Sequence, residues 1–178
     1  MDRRTPKRLE KAALWNYALR ILGGRAHSVS ELRDKLSRRA ERQGDVDDAL
    51  SRLREYGYLD DKRLAESYAA SRRDNEGHGR LRVLRDLRGK RVAPAVAERA
   101  VGAAYREVDE VRLIEAFLKR KYRNIVLKEY LADRSHLASA YRRLRLAGFS
   151  SSNAIQVLKR YAEEAEALDS LEPPEGEG

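Results

Sequence analysis

Glycine-marked breaks divide a chain of helical periodicity, and they are densest from Glu55 to Lys90, EYGYLDDKRLAESYAASRRDNEGHGRLRVLRDLRGK. Leu50, Leu53 and Tyr56 recur at helical spacing and are followed by Gly57, the residue best able to take the left-handed conformation that closes a helix. Tyr58 and Leu59 would fold back onto that helix end. Asp60 or Asp61 can accept bonds from the free amides of a new helix, with Leu64, Ala65, Tyr68 and Arg72 along one side and an end near Asp74. Asn75 to Gly79 breaks it. Arg80 to Gly89 resumes as a short helix, Leu84 and Leu87 on one face and Arg82 and Arg85 on the other. Arg80 falls in the apolar sector, where an unpaired cation is costly, so an ion pair with Asp60 or Asp61 is expected.

The same grammar runs along the rest of the chain. Leu9 to Leu22 reads as a helix with Ala12, Trp15, Leu19 and Leu22 as its stripe, ended by Gly23-Gly24. Ser28-Val29-Ser30-Glu31 has the form of a capping box, opening a helix that carries Leu32 and Leu36. Val46 to Tyr56 makes a third. Pro94 suits the first turn of a helix whose Val96, Ala100 and Ala103 or Ala104 face inward. Asp109 begins a helix with Val111, Ile114, Phe117 and Leu118, and Arg123 to Arg134 is an irregular connection with a helical turn at Val126 to Leu131. Ser135 is expected to cap the next helix, with Leu137, Ala140, Tyr141 and Leu144 inward and Gly148-Phe149 closing it. Ser151 to about Ala167 is the last helix, with Ile155, Leu158 and Tyr161.

No period-two alternation occurs, so no strands are expected. Leu36, Leu87 and Leu144 hold the same place in successive units about fifty residues long, each followed by a turn and an apolar residue, Val46, Val92 and Phe149. The expected fold is therefore all-α, an elongated, curved array of three tandem three-helix repeats over 9–57, 58–107 and 108–167. A basic extension, 1–8, precedes them. An acidic tail, 168–178, follows, and its Glu172 to Gly178 should be disordered.

Charge is unevenly laid out. All 38 Lys and Arg lie at or before Arg160, whereas seven of the 29 acids follow it, so residues 1–160 carry 38 cations against 22 acids. That excess suits a polyanionic partner, whose condensed counterions are released on binding, and equally describes arginine spread over solvated faces. The tail acids could also fold back over the basic side and compete with DNA, or simply solubilise the chain's end. With no cysteine there are no disulfides or thiolate metal sites. No run approaches the length of a membrane span, and a cytoplasmic protein is expected.

Little suggests an active site. His27, His78 and His136 stand apart without ligand spacing and read as surface or capping residues. Asp60-Asp61 lacks a third carboxylate and reads as a helix cap, and Gly77-His78-Gly79 lacks the Lys-Ser or Lys-Thr of a phosphate loop. No nucleophile has a plausible base, so a binding protein without catalytic residues, metal or cofactor is expected. Tyr56, Tyr58 and Tyr68 could stack on bases, but their helical spacing favours core positions with a wet hydroxyl.

Gly57-Tyr58-Leu59-Asp60-Asp61, then Arg63, Ala65 and Tyr68, then Gly79-Arg80 and Leu87 with Lys90, resemble the central signature of the RecX family, bacterial regulators of the RecA recombinase. Ala18-Leu19, Leu22, Arg25, Ser28 and Glu31-Leu32 with Leu36 are similar to its N-terminal pattern. Gly148-Phe149-Ser150 with Ile155 and Leu158 resemble its C-terminal one. Two positions depart from it: Arg91 stands where the family carries glycine, and His27 where a second arginine is common. The resemblance implies binding to the RecA filament on single-stranded DNA, with suppression of ATP hydrolysis, strand exchange and coprotease action on the LexA repressor, and hence modulation of DNA repair and the SOS response.

By charge and helical facing the expected contact surface comprises Arg63, Arg82, Arg85, Lys90, Lys119, Arg120, Lys121, Arg142, Arg143 and Arg145. The basic end Lys119 to Lys121 equally fits ordinary helix-dipole chemistry. The expected partners are the RecA filament, single-stranded DNA and, weakly, duplex DNA, engaged by a monomer. The alternative is a direct DNA-binding nucleoid or transcription factor using a short arginine helix in the major groove.

Overall fold

A computed structural model describes residues 8–162 and Ala165. The expectations for residues 1–7 and for the acidic tail lie outside them. Ten helices follow in order: α1 (Lys11–Gly24), α2 (Val29–Ser37), α3 (Gln43–Glu55), α4 (Asp61–Asp74), α5 (Arg80–Gly89), α6 (Pro94–Ala104), α7 (Glu110–Lys121), α8 (Leu127–Leu131), α9 (Arg134–Leu146) and α10 (Ser151–Leu158). The only pairing of extended backbone among the described residues is one isolated bridge, in which Leu9 donates to Arg39 O and accepts from the Glu41 amide. The fold is all-α.

Two compact units divide the chain: Met1–Ser67 with Asp86–Ala100, and Tyr68–Arg85 with Val101–Gly178. The helices α4, α5 and α6 each contribute residues to both.

In the first unit Leu14 and Ala18 of α1 pack with Leu32 and Leu36 of α2, with Val46, Ala49, Leu50 and Leu53 of α3, and with Ala40 and Leu59. The stripe expected on α1 is thereby displaced. Leu14 and Ala18 are fully buried, Trp15, Leu19 and Leu22 are half-buried, and Ala12 is exposed. The small side chain of Ala18 lets neighbouring helices approach closely, and the bulkier residues flank that contact.

In the second unit Ile114 and Leu118 of α7, Tyr122 just after it, Leu131 of α8, Leu137, Ala140, Tyr141 and Leu144 of α9, and Ala154, Val157 and Leu158 of α10 form the core with Phe149. Phe117 meets Phe149 edge-on, 5.5 Å between centroids. The shift toward small residues recurs: Ala69 and Val83 are buried, whereas Leu64, Tyr68 and Leu84 are only half-buried, and of the residues expected inward Ala65 and Ala100 are buried, joined by Ala97 and Val101.

Local chemistry sets the helix ends. Ser28 Oγ accepts from the Glu31 amide at 3.0 Å while Glu31 accepts from the Ser28 amide at 3.2 Å, so the capping box is complete. Asp60 caps α4 by accepting from the Arg63 amide at 3.0 Å. Three expectations change. α10 ends at Leu158 instead of running to about Ala167. α1 runs through Gly23 and Gly24. α9 is capped by Asp133, whose carboxylate accepts from the amides of Ser135 and His136 at 2.9 and 3.0 Å and also from the Ser135 hydroxyl, a charged acceptor suiting the positive helix end better than Ser135 does.

Three helices close with the same left-handed motif. Gly57 (φ 72°) follows α3, Arg91 (φ 56°) follows α5 and Gly148 (φ 90°) follows α9. In each, the next residue's amide reaches back to the helix: Tyr58 to Leu53 O, Val92 to Leu87 O and Phe149 to Leu144 O. Arg91 thus takes the conformation glycine would take, and its guanidinium pairs with Asp34. Leu87 and Leu144 are equivalent in this motif. Leu36 differs, its carbonyl accepting from Arg39 and Ala40, so Ala40 is the first buried residue after the turn and Val46, equally buried, follows in α3.

Candidate partner-binding surface

The left-handed turns after α5 and α9 each receive the start of another helix. In the first unit Ser28, the cap of α2, donates its hydroxyl to Lys90 O at 2.5 Å, and the Val29 amide donates to the Asp61 carboxylate at 2.9 Å. In the second, the amides of Gly79 and Leu81 at the start of α5 donate to Ala147 O and Gly148 O at 2.8 and 3.0 Å. Backbone meets backbone here so closely that a Cβ on Gly79 would lie 2.2 Å from Gly148 O, and one on Gly148 2.1 Å from the Arg82 amide. The separated motif residues Gly79 and Gly148-Phe149 therefore form one junction.

That geometry reassigns several cations. Arg82 and Arg85 donate to Leu146 O at 3.2 and 3.1 Å, Arg145 to Phe149 O at 2.6 Å, and Arg120 to Asn75 O and Glu76 O. In the first unit Arg63 donates to Gly57 O at 2.8 Å. Carbonyls at helix ends have no partner within their helix and carry partial negative charge, and a guanidinium satisfies both demands. Sequence reasoning placed these arginines on an outer surface and missed this role, because their partners lie up to 64 positions away.

The other candidates differ. Arg143 lies over the Tyr122 ring, 5.7 Å from its centroid. Lys90 is half-buried and lends its carbonyl to Ser28. Lys119, Lys121 and Arg142 are exposed, and no hydrogen bond or ion pair holds their side chains among the described residues.

Arg80 is exposed rather than set in an apolar sector, and the carboxylates expected to meet it serve backbone amides, Asp60 that of Arg63 and Asp61 that of Val29. The aromatics also depart from expectation. Tyr56 and Tyr58 are 58% and 57% exposed, and Tyr68 is half-buried with Arg72 over its ring. His27 is buried rather than superficial. Its Nδ1 bonds Arg25 O at 2.9 Å, and burial lowers the pKa of the ring.

A cleft of about 370 Å³ in the second unit is lined by Arg80, Leu81, Tyr105, Val108, Glu110 and Leu113 among others. Its polar groups serve structure. Glu110 accepts from the Ser150 amide, the Ser150 hydroxyl and the Asn153 side chain. The Tyr105 hydroxyl donates to His78 O at 2.7 Å, and burial pushes its pKa up to about 12. Among the described residues no group of three or more His, Asp or Glu is placed to hold a metal ion, and no helix is long and apolar enough to cross a membrane.

Together these features define an all-α, arginine-rich protein in which helix starts meet the left-handed turns of other helices within each unit. Residues 15–53 match the family description "RecX, first three-helix domain", and 60–101 match "RecX, second three-helix domain". A regulatory protein RecX of Deinococcus radiodurans is 33% identical over 162 residues, 90% of this chain and 74% of the relative. One from Vibrio parahaemolyticus is 32% identical over 133 residues, 75% and 81% of the two chains. The crystal structure of RecX from Lactobacillus salivarius superposes with a TM-score of 0.64 at 20% identity, covering 85% of this chain and 96% of that one. The chain belongs to the RecX family of regulatory proteins.

Proposed function

We propose that this chain binds the RecA filament on single-stranded DNA and lowers its ATPase, strand-exchange and coprotease activities, restraining DNA repair and the SOS response from the cytoplasm. The observation that carries this reading is its 33% identity with a regulatory protein RecX over nine-tenths of its own length. Three tandem repeats over 9–57, 58–107 and 108–167 would each supply weak contacts, which add at high effective concentration once the first has formed. Any bias toward filament disassembly then equals the difference in affinity for the assembled and dispersed states.

Of the cations, Lys119, Lys121 and Arg142 have side chains without a hydrogen bond or ion pair among the described residues and are the first candidates for that contact. The arginines bound to carbonyls contribute by shaping the surface. The test is DNA-dependent ATP hydrolysis by the cognate recombinase, titrated with this chain beside a salt titration on bare duplex. Inhibition at ratios well below one chain per recombinase supports the reading. Unchanged hydrolysis with tight, sequence-dependent duplex binding would replace it with a direct DNA-binding factor.

A further inference from the structure

The turn closing α3 carries two large rings that its surroundings leave uncovered. Tyr56 and Tyr58 are each more than half exposed, where tyrosine ordinarily buries the body of its ring and wets only the hydroxyl. Around them stands an ordered aromatic and cationic set. Trp15, the only tryptophan in the chain, meets Tyr56 edge-on at 6.1 Å. The Arg52 guanidinium lies 4.3 Å from the Trp15 centroid and 5.9 Å from that of Tyr56. Arg63, bonded to Gly57 O at 2.8 Å, fixes a second guanidinium on the turn between the two tyrosines.

Flat π faces beside guanidinium groups suit two kinds of ligand, nucleobases and the anchor side chains of a protein. Charge favours the first. Arg52, Arg54, Lys62 and Arg63 stand along this stretch against Glu55, Asp60 and Asp61, and two of these carboxylates already accept from backbone amides, Asp60 from Arg63 and Asp61 from Val29. The two residues stand two positions apart, their Cα atoms at most about 7 Å from each other, so both rings leave the same turn and can meet bases of one strand. Base stacking on aromatic side chains tolerates any sequence, and flanking cations track the phosphates.

We propose that the Tyr56-Gly57-Tyr58 turn, with Arg52 and Arg63, is a stacking site for the bases of single-stranded nucleic acid. The site deepens the filament reading, on which it rests for its setting. Its own test needs no recombinase, so the two fail separately.

Trp15 makes the site visible. Its fluorescence is followed during titration with an oligothymidylate and with an abasic oligomer of the same length, which keeps the phosphates and lacks the bases. The thymidylate should bind the wild type more tightly and perturb Trp15. By fluorescence anisotropy of the labelled strand, Tyr56→Ala/Tyr58→Ala should lose about tenfold to a hundredfold in thymidylate affinity with abasic binding unchanged. The double Tyr→Phe variant should bind like the wild type.

Both rings are exposed, so the alanine variant should keep the wild-type unfolding temperature. Tyr58→Ala alone, removing a ring with no ring partner among the described residues, serves if it does not. Equal binding of thymidylate and abasic strands by the wild type would overturn the proposal, as would undiminished thymidylate binding by the folded alanine variant. Undiminished strand binding with lost inhibition of the recombinase would assign the rings to a protein contact instead.

Discussion

A single methyl group separates two kinds of glycine in this chain. Gly57 and Gly148 both take positive φ, but a Cβ on Gly57 would meet nothing within 4 Å, whereas one on Gly148 would strike the Arg82 backbone. Gly57→Ala should therefore cost only the left-handed penalty, about 1 kcal/mol, and Gly148→Ala that penalty plus a forced displacement, about 3 kcal/mol in all. Chemical denaturation of the two variants measures both, and equal losses would refute the close approach at the second junction. That both glycines close helices was legible in the sequence, because the left-handed cap is a local requirement. Gly148's contact with Arg82 was not, because it joins residues far apart in the chain. Arg91 shows the same limit in reverse. It stands where the family carries glycine, and its backbone nonetheless takes the left-handed conformation.

Helix ends were mostly legible where the cap lies within a few residues, α9 excepted, where Asp133 takes the place expected of Ser135. The Ser28 and Glu31 box, Asp60 before α4, Pro94 at the start of α6 and the bounds of α5 all appear as the pattern implied. The capping box also predicts a pH dependence. Burial opposes the Glu31 charge, but the Arg25 ion pair at 3.1 Å and the Ser28 amide outweigh it and hold the carboxyl below its ordinary 4.5. A carboxyl depressed in the folded state stabilises above its unfolded pKa, and that contribution disappears as pH falls through the folded value. Glu31→Gln should lose up to about 1 kcal/mol at neutral pH, the gap closing as the solution is acidified well below pH 4.5. Unfolding temperatures of the two proteins across that range check it; a gap constant with pH would contradict the charged cap.

Facing within each helix was less legible than its bounds. Periodicity selected the bulky residues, Trp15, Leu64, Tyr68 and Leu84, and with them Ala65, but close packing buried Ala65 and its unselected smaller counterparts Ala18, Ala69 and Val83. Hydrophobicity ranks side chains by what burial would gain, while helix approach rewards those that take least room.

Across the whole molecule, the charge count read from the sequence does not reveal how the charge is used. Arg63, Arg82, Arg85, Arg120 and Arg145 satisfy backbone carbonyls, and Arg143 lies on a tyrosine ring. The excess of cations therefore serves the fold as well as any partner, and reversing Arg82 would disturb a junction before it tested a surface. Among the described residues Lys119, Lys121 and Arg142 carry no such duty. The most direct measurement is recombinase ATPase on single-stranded DNA, titrated in parallel with the wild type and with a Lys119→Glu/Lys121→Glu/Arg142→Glu variant of matched unfolding temperature. Our account predicts that the wild type inhibits at substoichiometric ratios and that the variant needs at least about tenfold more protein, the expectation for losing contacts worth about 1.4 kcal/mol in sum. Coincident curves for the two proteins, or no inhibition by the wild type, would contradict it.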